Sequence, residues 1–250
     1  MIDLKAKNAL IIGAKRIGQI VGKTMAREGI NLAISYRTSK KSAERLKNEA
    51  EKLLVKSILI KGDITNEKDV KNMIDQTVKG LGSLDFVVDL ASNFQRTPLD
   101  TLNEKAWQAA QVDAKGSYLL SVHASRQMQK NQGKTRGHII LFSDWAAVSQ
   151  KPYLNYLPYL TSKAAIDYMT RAFAKELAPH GILVNAIAPG PTMRPPFLDE
   201  KYWQREVLDK NPLKRQSSAE EIAEMIVTLF KSETITGETI RIDSGSHLGT

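Results

Sequence analysis

Cysteine is absent from the 250 residues, which excludes disulfide staples, thiolate metal sites and a cysteine nucleophile. Histidine is scarce, four in all, and no two form a His-x-x-x-His pair, so no metal site is expected. Aromatic residues make up only 6% of the chain and are missing from the Lys-rich stretch Lys40–Lys71. That stretch therefore lacks the mixture of bases and rings that nucleic-acid binding uses, and nucleic acid is not an expected partner. No apolar run approaches the roughly 20 residues needed to cross a bilayer. Met1-Ile2-Asp3-Leu4-Lys5-Ala6-Lys7 enters a strand-like run without the apolar stretch of a signal peptide. A soluble, cytoplasmic protein with no membrane partner is expected.

Acidic residues are outnumbered, 27 Asp+Glu against 36 Lys+Arg, leaving a formal charge of +9. Much of the excess sits in Lys40–Lys71. It reads either as a solvated helical face or as attraction for an anionic ligand, such as a phosphorylated cofactor or an acidic carrier protein. With 42% hydrophobic residues, a chain of this length can bury one large core, and a single domain over 1–250 is the default.

The apolar residues alternate between two periods. Short continuous runs at Asn8–Ile12, Asn31–Tyr36, Lys56–Ile60, Leu84–Asp89, His138–Phe142, Leu183–Ala188 and Glu238–Ile242 read as strands buried on both faces. Between them Ile17, Ile20, Val21, Thr24 and Met25 recur at helical spacing. So do Ala43, Leu46, Ala50, Leu53 and Leu54, and Val70, Met73, Ile74 and Val78. Strands alternating with helices imply βαβ units, and so an α/β, Rossmann-type, doubly wound parallel sheet of about seven strands with helices on both faces. Pro189–Asn211 has no clean period and carries Pro191, Pro195 and Pro196. With Met193, Arg194, Phe197, Tyr202 and Trp203 it is expected to form a substrate lid, the alternative being a surface helix from near Leu198 that buries Tyr202 and Trp203.

The first strand ends in Gly13-Ala14-Lys15-Arg16-Ile17-Gly18 and a helix follows at once. Glycines at such a turn let the backbone approach a pyrophosphate, and the helix N-terminus offers it free N–H groups. The second strand ends in Arg37, Thr38 and Ser39, with no Asp or Glu to hold a ribose 2′-hydroxyl. Arg and hydroxyls suit a 2′-phosphate, which favours NADP(H) over NAD(H); Lys15 or Arg16 could add a second cation.

Tyr159 and Lys163 are four apart, on one face of a helix. A nearby ammonium favours the phenolate and is expected to lower the phenol's pKa, which suits a general acid or base. In this setting the sequence resembles the short-chain dehydrogenase/reductase family over nearly its whole length. The resemblance rests on Gly13–Gly18, Gly62-Asp63-Ile64, Asp89-Leu90-Ala91-Ser92, Tyr159/Lys163, Asn185-Ala186-Ile187-Ala188-Pro189-Gly190, and Thr236-Gly237-Glu238 with Asp243-Ser244-Gly245. It implies Asp63 and Ile64 at an adenine, Ala91 and Ser92 beside the cofactor, and Pro189, Gly190 and Thr192 along a nicotinamide. It also implies a homo-oligomer, most commonly a tetramer.

The departures from the family pattern are informative. The glycine turn is one residue short, and Arg16 stands where a middle glycine is common. Asp113 falls at the proton-relay Asn. No Ser stands thirteen residues before Tyr159; Ser143 and Asp144 lie about two residues further away and both are candidates for its role, Asp144 also reading as a helix N-cap. Several departures resemble the pteridine reductase subgroup, which implies Asp144 as the acid partner of Tyr159. It also implies Phe94 as a stacking platform for a flat substrate, with Trp145 and Met193 beside it; core packing is the alternative for Phe94. The expected activity is hydride transfer to a C=O or C=N bond of a small, pteridine-like substrate. A 3-oxoacyl thioester on acyl carrier protein is the runner-up, and a cofactor-binding sensor without chemistry is the third possibility.

Overall fold

The computed structural model describes residues 1–249. Seven strands form one parallel sheet in the order β3-β2-β1-β4-β5-β6-β7. They are β1 (Asn8–Ile12), β2 (Asn31–Tyr36), β3 (Ser57–Lys61), β4 (Phe86–Asp89), β5 (Gly137–Phe142), β6 (Ile182–Pro189) and β7 (Thr239–Ile242). The continuous apolar runs are explained by the two cores they feed. Along β1, Ala9 and Ile11 enter one layer and Leu10 and Ile12 the other. Along β5, Ile140 and Phe142 enter the first layer and Ile139 and Leu141 the second. Period-two alternation therefore splits a continuous apolar run between two buried faces.

Helices α1 (Ile17–Arg27) and α2 (Lys40–Lys52) cover the first face, and α3 (Glu67–Leu81) lies on the second. The apolar segment Asn103–Met128 is two helices, α4 (Glu104–Ala110) and α5 (Val112–Met128), meeting at Gln111. A five-residue helix α6 (Trp145–Ser149) follows β5, and α7 (Leu157–Leu177) begins with Pro158 in its first turn, where a missing N–H costs nothing. The α2 stripe stops at Ala50: the helix ends at Lys52 and Leu54, at φ 61°, is 95% exposed. The segment 189–211 is partly helical, with Asp199 capping a short turn α8 (Glu200–Tyr202) that continues as a π-turn through Leu208. Trp203 and Leu208 are buried there, whereas Phe197 and Tyr202 are exposed. The helix near Leu198 therefore exists, but only one of its two aromatics packs inward. Last comes α9 (Ala219–Lys231), on the first face.

Strand order reverses between β1 and β4, and an open α/β sheet has its crevice there, at the carboxyl ends of the strands. Gly13, Asp89, Ser143 with Asp144, and Pro189 all stand at or just beyond strand ends on that side.

Candidate active site

Tyr159 lies in the first turn of α7 and Lys163 one turn later, both buried, with the Lys163 ammonium 5.6 Å from the Tyr159 ring centre. A buried cation needs partners. Lys163 Nζ donates to the Phe142 carbonyl at 2.9 Å and pairs with Asp113 Oδ2 at 3.3 Å. Asp113, at the start of α5 and 3% exposed, also accepts from the Asn93 N–H at 2.9 Å and from Ser92 Oγ at 3.1 Å. It is thus the counter-ion of Lys163 and a clamp on the loop after β4.

Asp144 caps α6, accepting the Ala146 N–H at 2.9 Å on Oδ1. Its Oδ2 accepts two phenols, Tyr159 and Tyr153, each at 3.0 Å. The cap and the partner of Tyr159 are the same side chain, since each role takes one oxygen. Ser143 Oγ donates instead to the Lys163 main-chain carbonyl at 3.0 Å and pins β5 to α7.

Burial pushes Asp144 above the usual carboxylate range, against the pull of the Ala146 N–H, the two phenols and Lys163. Burial and then the Asp144 and Asp113 carboxylates push Tyr159 well above an ordinary phenol, with the Ser92 hydroxyl acting the other way. The expected lowering of Tyr159 by Lys163 is therefore corrected: Asp113 offsets the ammonium and Asp144 opposes the phenolate. Asp89, at the end of β4, is pushed up to about 6 by burial despite the Ser117 hydroxyl at 2.7 Å and the Ala91 N–H at 3.1 Å.

Aromatic rings ring this centre. Phe94 stacks on Tyr156 with centroids 4.6 Å apart and meets the Tyr159 ring edge-on at 5.0 Å. It remains 38% exposed, so core packing does not account for it. Trp145 lies 6.2 Å from Tyr153. Sequence reasoning missed Tyr153 and Tyr156, although the spacing Tyr153, Tyr156, Tyr159 was a visible signal.

Beyond β1 the chain makes a cradle. Gly13 has φ +92°, and a Cβ there would sit 3.2 Å from the Leu90 carbonyl carbon. A Cβ on Gly18 would lie within 1.9 Å of the Gly13 oxygen, so only glycine lets α1 start against the turn. Arg16 takes φ 51° without its side chain capping α1, a backbone state that suits the glycine common there. Its guanidinium donates to the Met193 carbonyl at 2.6 Å, joining the turn to the segment after β6. Lys15 is exposed and its carbonyl accepts the Gly18 N–H at 2.8 Å; Ile17 packs on the first core. No acidic residue stands in the first turn of α1.

At the end of β2, Arg37 pairs with Asp63 at 3.3 Å. Thr38 is exposed, and Ser39 begins α2 without a side-chain cap bond. Ile64 is buried in the second core, and Ala91 packs against it partly exposed. Pro189 ends β6; a Cβ on Gly190 would lie 2.5 Å from Asp243 Cα, and buried Thr192 donates to the Gly190 carbonyl at 3.0 Å. Two glycines that tolerate no side chain, a helix start free of acid and a basic β2 end are features that fit a phosphorylated dinucleotide.

A family model described as enoyl-(acyl carrier protein) reductase matches residues 13–247. The 3-oxoacyl-[acyl-carrier-protein] reductase FabG of Staphylococcus aureus is 32% identical over 249 residues, covering 97% of this chain and 98% of the relative. A short chain dehydrogenase of Burkholderia cenocepacia in complex with NADP superimposes with a TM-score of 0.88 at 27% identity, covering 98% of this chain and 99% of its own. The FolM alternative dihydrofolate reductase 1 of Brucella canis, complexed with NADP, does so with a TM-score of 0.89 at 26% identity, covering 99% and 96%. A match of this extent agrees with the resemblance carried by the motifs, and the chain belongs to the short-chain dehydrogenase/reductase family of NAD(P)-dependent oxidoreductases.

Proposed function

We propose that the protein uses NADP(H) to reduce a C=O or C=N bond in a flat, pteridine-like substrate. The observation that carries this is the pairing of Tyr159 with the Asp144 carboxyl beside the half-open ring of Phe94. The Gly13–Gly18 turn and the start of α1 would take the pyrophosphate, and Arg37, Thr38 and Ser39 the 2′-phosphate, Arg37 exchanging Asp63 for it. NADPH, when bound, supplies the hydride.

A phenol held well above its ordinary pKa is fully protonated near neutrality. Tyr159 would therefore stand as the acid, giving its proton to the atom that gains charge as hydride arrives. Asp144, bonded to the Tyr159 hydroxyl at 3.0 Å and raised above the usual carboxylate range by burial, would be the acid partner of Tyr159. Phe94 would give a planar ring a stacking face, with Trp145 and Met193 as further substrate contacts and the segment 189–211 as a lid.

The FabG relative supports a second reading, a 3-oxoacyl thioester on acyl carrier protein, and the +9 charge suits an acidic carrier. The protein is proposed to be a cytoplasmic homotetramer. Turnover of NADPH with a dihydropteridine and with an acetoacetyl thioester tests the assignment. A kcat/KM at least ten-fold higher for the dihydropteridine is expected. A preference for the thioester would transfer the assignment to the second reading, and no turnover with either would leave a cofactor-binding sensor.

A further inference from the structure

The geometry points to Tyr153 as a positioning residue of the reaction, acting through Asp144. Its hydroxyl and that of Tyr159 both end on Asp144 Oδ2 at 3.0 Å, while Oδ1 is used by the Ala146 N–H. The carboxyl is thus held by three donors from α6, the loop after it and α7. One of the three, Tyr159, is the group that loses its proton in the assignment above, on which this inference rests. When it does so, its donor to Asp144 vanishes and a phenolate faces the carboxyl.

The proton balance then requires a second step. Tyr159 passes its phenolic proton to the substrate. Asp144 in its protonated form returns a proton to the Tyr159 oxygen across the same contact, and the carboxylate so formed takes one from water. Tyr153 keeps its own proton throughout, because burial and the Asp144 charge push it well above an ordinary phenol. It remains a fixed donor that holds Oδ2 in place and determines how readily Asp144 ionises. The other charged or titratable groups facing Asp144 are Tyr159 and the Lys163 ammonium. Lys163 is already paired with Asp113, so Tyr153 is the donor free to take this part.

Tyr153 also closes the aromatic wall. It lies between Trp145 and Tyr156, with centroids 6.2 and 5.1 Å away. Removing the hydroxyl alone leaves these contacts intact, so Tyr153→Phe separates the hydrogen bond from the packing.

The test reads Asp144 directly. The carboxyl stretch of the whole protein is followed by infrared difference spectroscopy across pH, with Asp144→Asn identifying the band. Losing a donor to the ionised form disfavours that form, so Tyr153→Phe is expected to move the Asp144 midpoint to higher pH. A fluorinated tyrosine introduced at position 153, a stronger donor, is expected to move it lower. In turnover with NADPH and a dihydropteridine, kcat of Tyr153→Phe should fall about ten-fold, in line with one hydrogen bond to a charged group. KM should stay within two-fold, and the alkaline limb of the pH–rate profile should follow the infrared midpoint upward. An Asp144 midpoint that is the same in all three proteins would overturn the inference whatever the kinetics. So would a fall in kcat with an unmoved limb, which is the mark of a packing defect. The infrared result needs no substrate, so a failure of every substrate would overturn the functional assignment alone.

Discussion

At the scale of single residues, the centre is a set of buried carboxyls around one ammonium. Tyr159→Phe removes the proposed proton donor but none of the groups expected to hold the cofactor phosphates. Its turnover with NADPH should fall by orders of magnitude while cofactor affinity stays within a few-fold, because the hydroxyl acts in the transition state. Near-normal turnover would give the donor role to another group. Asp89 makes a prediction about stability. Its folded pKa, about 6, lies above the unfolded value near 3.9. A raised pKa means that the folded state binds the proton more tightly, so the stability it contributes is complete below about pH 4 and lost as pH rises through 6. Asp89→Asn cannot ionise and can still serve both the Ala91 N–H and the Ser117 hydroxyl. It should gain up to about 3 kcal/mol over the parent above pH 6 and nothing below pH 4. Urea unfolding at several pH values measures this; a gain that does not vary with pH would show that ionisation of Asp89 is not the cause.

At the scale of elements, two connections carry the cofactor and substrate proposals. The first is the end of β2. Arg37→Asp would face the Asp63 carboxylate that Arg37 now pairs with at 3.3 Å and would repel a 2′-phosphate. Titration should show NADPH weakened at least ten-fold more than NADH. Equal losses would remove Arg37 as the discriminator. The second is the segment 189–211. It is tied at its start by the Arg16 donation to Met193 and by the Ser217 N–H on the Pro191 carbonyl at 2.8 Å, and at its far end by buried Trp203 and Leu208. Between them Phe197 is exposed. If the segment is a lid, hydrogen exchange at 194–202 should slow when NADPH and substrate bind together. Protection that is unchanged on binding would make it a fixed wall.

At the scale of the whole molecule, α4, α5 and α7 carry more apolar surface than the sheet covers. Trp107, Tyr118, Leu157 and Tyr168 are 46, 50, 60 and 69% exposed. Such exposure on adjoining helices fits an interface between copies of the chain. Light scattering at micromolar concentration should give a multiple of the single-chain mass, four-fold on the tetramer proposal. Tyr168→Lys should lower it without changing the thermal stability of the separated subunits by more than a few degrees. A single-chain mass for the parent protein would end the proposal.

What the sequence determined by itself is what depends on local period and short spacing. The two-face burial of β1, β2 and β5 was legible because apolar residues follow one another in each strand, Ala9–Ile12, Leu32–Ile34 and Ile139–Phe142, instead of alternating with polar ones. The Gly13–Gly18 turn was legible because only glycine permits that backbone approach, and Tyr159 with Lys163 because four residues make one helical turn. Boundaries shifted at strand ends and helix breaks: β3, β5, β6 and β7 by one residue, β4 by two, and the long apolar segment divides at Gln111. Which of Ser143 and Asp144 faces Tyr159 was not legible, since neighbouring residues at a strand end point in different directions and only the packing of β5 on α7 selects one. The pairing of Asp113 with Lys163 joins α5 to α7 across 50 residues and leaves no periodic trace. The direction of the Tyr159 shift was not legible either. A nearby ammonium alone predicts a lowered pKa; burial together with two carboxylates reverses it, and burial and the position of those charges exist only once the chain has folded.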